Sequence, residues 1–196
     1  IEFRDKNLAQ IRSEINRLAI SVSSTFNESQ SKGLDLNKQQ GANIFSDINS
    51  TLLQESRVLS SSTNTGNLTA KVNITDVTLL PTNEFKIQYD GTDYIMTNAV
   101  TKTTVNLGAP GSGTPAGTLA TPFGFDFIET GGAPANNDFF IIRPSENSAA
   151  LMQATLTDER AIAASSAVGV SASDYNISSG SVEIINTLDP EAAINY

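Results

Sequence analysis

Apolar residues follow two rhythms along this chain, a seven-residue repeat at the start and strict alternation through the middle. Steps of seven from the first residue give Ile1, Leu8, Ile15 and Val22, and the positions three further on give Arg4, Ile11, Leu18 and Thr25. That spacing keeps one side of an α-helix apolar in the manner of a coiled-coil seam. With Ala19 and Phe26 it predicts an amphipathic helix over about residues 1–26. Arg12, Glu14 and Arg17 lie off the stripe, and Glu14 and Arg17 are spaced to pair weakly on the exposed side. No Gly or Pro occurs before Gly33, after which Gly33, Asp35, Asn37 and Gly41 mark a loop. The helix has two readings: it lies on a domain of its own chain, or it belongs to a bundle whose other helices are elsewhere.

Between Asn49 and Gly66 the pattern fits a short helix or an irregular strand ending in a polar turn. From Leu68 the period becomes two. Leu68, Ala70, Val72 and Ile74 alternate with polar residues, as in a strand with one buried and one wet face. Phe85, Ile87 and Tyr89 alternate next, Asp90-Gly91 supplies a hairpin turn, and Tyr94-Ile95-Met96 returns. Further strands are predicted at about 100–107, at 123–129 with Phe123, Phe125 and Phe127 on one face, and at 138–143. Turn-rich segments separate them, and Pro144 ends the last. Residues 151–156 suit either strand or helix, Asp158 to Ser166 suggests a helical turn, and 181–187 reads as one more strand. Short strands at this spacing imply an antiparallel sandwich or small barrel.

Composition agrees with the β-rich middle. Of 196 residues, 39% are hydrophobic and 17% charged, with Ser, Thr and Asn making up the difference. The net charge of −9 repels phosphate, and no Lys/Arg cluster could release counterions from a nucleic acid, so nucleic acid and anionic membrane are excluded as partners. No stretch approaches the apolar length of a membrane helix. There is no Cys, His or Trp, which removes the soft metal ligands and the commonest general bases. No cofactor or metal is therefore expected, and no catalysis. The chain starts without Met and shows no charged-then-apolar signal pattern, and it is expected to be an internal fragment, in which that absence says little about a leader.

The carboxylates are the remaining candidates for chemistry. Asp90 and Asp93 flank the hairpin turn and Asp158-Glu159 precede a helical turn, and turn and capping roles account for all four. Asp35 to Gly41 begins like a calcium loop, but Gly stands at the seventh place instead of the sixth and Ser46 at the twelfth instead of Glu. Five glycosylation sequons, at Asn27, Asn49, Asn67, Asn73 and Asn176, are expected by chance in so Asn-, Ser- and Thr-rich a chain. The spaced glycines of residues 108–117 lack the Lys-Ser/Thr of a phosphate loop. A carbohydrate-binding or adhesin-like β-domain, presenting Tyr89 and Tyr94, is the alternative function.

Several blocks together carry a resemblance. Phe3-Arg4-Asp5, Leu8, Leu18-Ala19 and Phe26-Asn27, followed by Gly33, Asp35, Gly41 and Phe45, resemble the FlgK family of flagellar hook-associated proteins. "NEFKIQYDG", "GAPANNDFFIIRP" and "LTDERAIAASSA" are similar to the family's later blocks, so the likeness spans residues 1 to about 167. Lys38 departs from it, as does the tail beyond Val168. The resemblance implies an α+β fold, with a long N-terminal amphipathic helix from a helical bundle domain and a mainly antiparallel β-domain. Its divisions would be 1–48 (helix and loop), 49–146 (β-domain), 147–168 (return to the helical domain) and 169–196, a possible start of an inserted β-domain. It further implies a structural subunit at the hook-filament junction, extracellular, exported through the flagellar secretion channel. Expected partners are neighbouring copies of itself, the hook protein and a second junction protein. Leu8, Ile11, Ile15, Leu18 and Val22 then form a helix-packing stripe that the fragment leaves partly bare.

Overall fold

The computed structural model describes residues 2–163 and 165–166. Helix α1 runs over Glu2–Ser31, past the expected end at Phe26, because nothing in the sequence breaks it before Gly33. The chain forms two compact units. The first takes in the helix up to Ser24 and residues Asp47–Met152, and the second begins with Thr25–Ser46 and resumes at Gln153.

The first unit is an antiparallel β-domain. Its elements are α2 (Thr51–Ser56), β2 (Val58–Ser60), β3 (Thr69–Ile74), β4 (Phe85–Tyr89), β5 (Tyr94–Asn98), β6 (Thr104–Gly108), β7 (Thr118–Ala120), β8 (Phe125–Gly131) and β9 (Phe139–Ile142); β1 (Gly33–Leu34) and β10 (Ser165–Ser166) belong to the second unit. Two sheets form, in the orders β2-β9-β4-β5-β6 and β3-β8-β7. β6 lies beside β7 and β2 beside β3, so the sheets face each other and approach along both seams. Alternation sends Val72, Ile74, Phe85, Ile87, Phe125 and Phe127 into one core with Phe140 and Ile142. Phe127 joins the sheets, its ring 5.6 Å from Tyr94 and 5.8 Å from Phe140.

The predicted hairpin forms in register, with Phe85 opposite Asn98 and Tyr89 opposite Tyr94. Asp90 shapes its turn by accepting the N–H groups of Thr92 and Asp93, both at 2.9 Å. Several boundaries differ from those expected. The strand expected from residue 100 starts at Thr104, because Asn98 Oδ1 takes the N–H groups of Val100 and Thr101 and Lys102 adopts φ 62°, closing a turn. The strand expected at 123–129 starts at Phe125, after Gly124, whose φ is 73° and where a Cβ would clash with the Asp76 carbonyl oxygen. Residues 49–66 hold both readings in turn, α2 and then β2. β7 lacks any alternating run long enough to reveal it, with three residues of which only Leu119 is buried. Residues 151–156 form only an isolated bridge at Ala154, and the strand expected at 181–187 lies outside the described residues.

In the second unit, side-chain amides pin the loop and the returning chain to the helix. Asn27 exchanges two bonds with Phe45, each 2.9 Å, and Phe26 meets the Phe45 ring edge to face at 5.8 Å. Gln30 donates to the Ala161 carbonyl at 2.8 Å, and β1 pairs with β10 antiparallel. Asp35 closes the loop by accepting the N–H groups of Asn37 and Gln39, so the calcium-like start is a turn. The helical turn expected from Asp158 is a 3-10 turn, Glu159–Ala161, capped by Asp158.

Candidate assembly site

Within the first unit α1 has two contrasting sides. Asn16, Ala19, Ile20 and Ser23 are buried, and Ile20 is the helix's contribution to the sheet core. Asn16 Oδ1 accepts the Ala149 N–H at 3.0 Å, and Ser145 donates its hydroxyl to the Ser13 carbonyl at 3.4 Å. The heptad stripe lies on the other side. Leu8 is 57% exposed, Ile11 54%, Ile15 53% and Leu18 63%, while Val22 is half-buried. Glu14, expected to pair with Arg17, accepts a bond from Gln10 at 3.3 Å.

Leu8, Ile11 and Ile15 form one wall of a groove of about 460 Å³, completed by Asn147, Ala149 and Ala150. Arg12 borders this groove and also a polar cleft of similar volume that contains the Arg143–Glu84 pair, 2.7 Å apart. An apolar strip with a cationic margin suits a second amphipathic helix, because burying each large aliphatic side chain contributes roughly 1.5–3 kcal/mol. Nothing in the groove positions a nucleophile against a base.

Three of the carboxylates singled out by sequence have local hydrogen-bond partners. Asp90 is held in its turn, Asp93 accepts from Asn106 at 2.8 Å, and Asp158 takes the Arg160 N–H at 2.9 Å. Among the described residues no three His, Cys, Asp or Glu side chains gather to hold a metal, and no helix is long and apolar enough to cross a membrane. Tyr94, expected to be exposed, is fully buried: alternation within the hairpin turns it inward, and its hydroxyl donates to Glu129 at 2.7 Å. Burial, and then the Glu129 carboxylate, push its pKa up. Four of the five sequon asparagines have structural hydrogen bonds: Asn27 to Phe45, Asn49 to Ile74, Asn67 from Ala133 and Asn73 from Gln54; Asn176 lies outside the described residues.

Sequence reasoning missed the buried helix face, although a signal exists. Asn16, Ser23 and Gln30 recur every seven residues and all three are buried, a polar heptad that a search for apolar periodicity passes over.

Comparison with known proteins places these features. Residues 1–45 match the family model of the flagellar hook-associated protein FlgK helical domain, and residues 59–144 match that of the flagellar hook-associated protein 1 D2-like domain. The chain belongs to the FlgK family. Flagellar hook-associated protein 1 of Escherichia coli is 27% identical over 168 residues, and that of Salmonella typhimurium 30% identical over 171, in each case covering 85% of this chain. The solved flagellar hook junction protein FlgK from Burkholderia pseudomallei superposes with a TM-score of 0.66 at 26% identity, over 81% of this chain and 26% of that one. The chain spans 28% of the length of the curated FlgK relatives.

Proposed function

We propose that this chain is a structural part of the flagellar hook-filament junction, working by subunit packing without catalysis. The observation that carries this reading is the uncovered stripe Leu8, Ile11, Ile15 and Leu18 on a helix that matches the FlgK helical domain. Four large aliphatic side chains in heptad register, each more than half in water, are unfavourable for a lone domain and favourable at a helix-helix contact. With Val22 they form the assembly face. The arrangement proposed is a helix and loop over 1–48, a β-domain over 49–146, a return segment over 147–168 and the opening of a further domain at 169–196. Partners are neighbouring copies, the hook protein and a second junction protein; the protein travels through the flagellar secretion channel and acts outside the cell.

The test uses the full-length protein expressed in a strain lacking it. Ile11→Asp, Ile15→Asp and Leu18→Asp together should leave hooks without filaments while the protein still reaches the medium. Normal filaments on cells carrying the triple variant contradict the assignment.

A further inference from the structure

Among the described residues β3 pairs with a strand on one edge only, and β2 lies beside it without a ladder. β8 occupies that edge, and just beyond the strand the Thr75 N–H still bonds to the Gly124 carbonyl on the β8 side at 2.9 Å. Successive residues of a strand send their main-chain groups to opposite sides, so Val72 and Ile74 present theirs to the other edge. Among the described residues no strand forms a ladder there: β3 ends its three-stranded sheet. Unpaired N–H and C=O groups on such an edge are a template for another chain.

Side chains occupy that edge instead. Asn49 Nδ2 donates to the Ile74 carbonyl at 2.8 Å, and Asn49 Oδ1 accepts the Ile74 N–H at 2.9 Å, reproducing the two bonds a facing strand residue would make. Arg57, fully buried after α2, donates from Nη1 to the Val72 carbonyl at 3.3 Å and to Asn49 Oδ1 at 3.2 Å, and from Nη2 to the Ile48 carbonyl. Gln54 of α2 adds a bond to the Asn73 side chain at 2.8 Å. A guanidinium fixed at a strand edge also opposes a second strand, which would have to displace it from its carbonyl partners and leave a buried charge unpaired.

We propose that Asn49 and Arg57 form an edge plug: they stand in for a missing strand at β3 and prevent that edge from pairing with β3 of a second copy. The segment Thr69–Ile74, TAKVNI, alternates small or apolar with polar residues and is strand-forming, so two unplugged copies could pair antiparallel and satisfy each other's groups.

Hydrogen exchange and sedimentation of the 196-residue chain test this. In the unmodified chain the Ile74 amide should be protected like its neighbour Thr75. Asn49→Ala should speed exchange at Ile74 roughly tenfold or more while Thr75 stays protected, and should cause concentration-dependent self-association. Arg57→Met should associate in the same way. Leu119→Ala, a core cavity variant away from this edge, serves as the control for destabilisation alone and should remain monomeric. The proposal is overturned if Asn49→Ala is destabilised but as monomeric as Leu119→Ala. Should Asn49→Ala fail to fold, rapid Ile74 exchange in the unmodified chain overturns the proposal, and protection matching Thr75 upholds it.

Discussion

Asp138 sets one carboxylate against three main-chain N–H groups. It accepts from Ala135 and Thr65 at 2.8 Å and from Gly66 at 2.9 Å, and its residue is 3% exposed. The loop before β3 and the loop before β9 therefore share one anchor. Gly66 is required there by close approach, since a Cβ would lie 2.5 Å from both Ala135 N and Asp138 Oδ2. The Ala135 N–H first, then those of Thr65 and Gly66, favour the ionised form and hold its pKa below the ordinary carboxylate range. A depressed native pKa means that the stabilisation is complete above the unfolded value, about 3.9, and is lost as pH falls from there through the native value. Asp138→Asn should therefore lower the melting temperature at neutral pH, with the gap to the unmodified chain narrowing below about pH 4. Melting curves from pH 2.5 to 7 check this, and a gap independent of pH would show that ionisation is not what stabilises the loops. None of this is legible in the sequence, where Asp138 is one acid in a turn-rich stretch and its partners lie up to 73 residues away.

At the scale of elements, local pattern succeeds where one face meets water. The hairpin β4-β5 and the alternation of β3 are readable because polar and apolar neighbours differ sharply, and the Asp90 turn has its own chemistry. The pattern fails for β7, whose three residues are too few to show alternation although its partner β8 follows directly, and it leaves β2 undivided from α2 because the strand it pairs with, β9, is distant in sequence. Helix α1 shows both outcomes. Its apolar period reveals the helix, yet the side turned to the sheet core is the polar and small one around Asn16, Ala19, Ile20 and Ser23. Stability should follow burial and not hydropathy. Ile20→Ala should cost about 2–4 kcal/mol through lost packing and the cavity left behind. Ile15→Ser, at a position 53% exposed, should stay within about 0.5 kcal/mol. Urea unfolding of both variants separates the faces, and equal losses would mean that the stripe is already packed in the isolated chain.

For the molecule as a whole, charge and the bare stripe act together. The chain carries −9 at neutral pH with a pI near 4.4, and it has no His, so no side chain with an ordinary pKa between 5 and 8 is present. Stability should therefore be nearly flat from about pH 5.5 to 8.5. Solubility should not be: as pH falls towards 4.4 the repulsion between molecules vanishes, and whatever apolar surface is uncovered decides whether they adhere. Leu8, Ile11, Ile15 and Leu18 supply four exposed large aliphatic side chains in register on one element. Replacing Ile11, Ile15 and Leu18 by Ser should thus reduce turbidity near pH 4.4 severalfold while leaving the melting temperature at pH 7 unchanged, since none of the three supports the core. Equal turbidity in the two proteins would shift the adhesive surface to the β-domain. A lower melting temperature for the variant would show that the stripe is covered within the chain, removing the physical basis for an assembly face on α1.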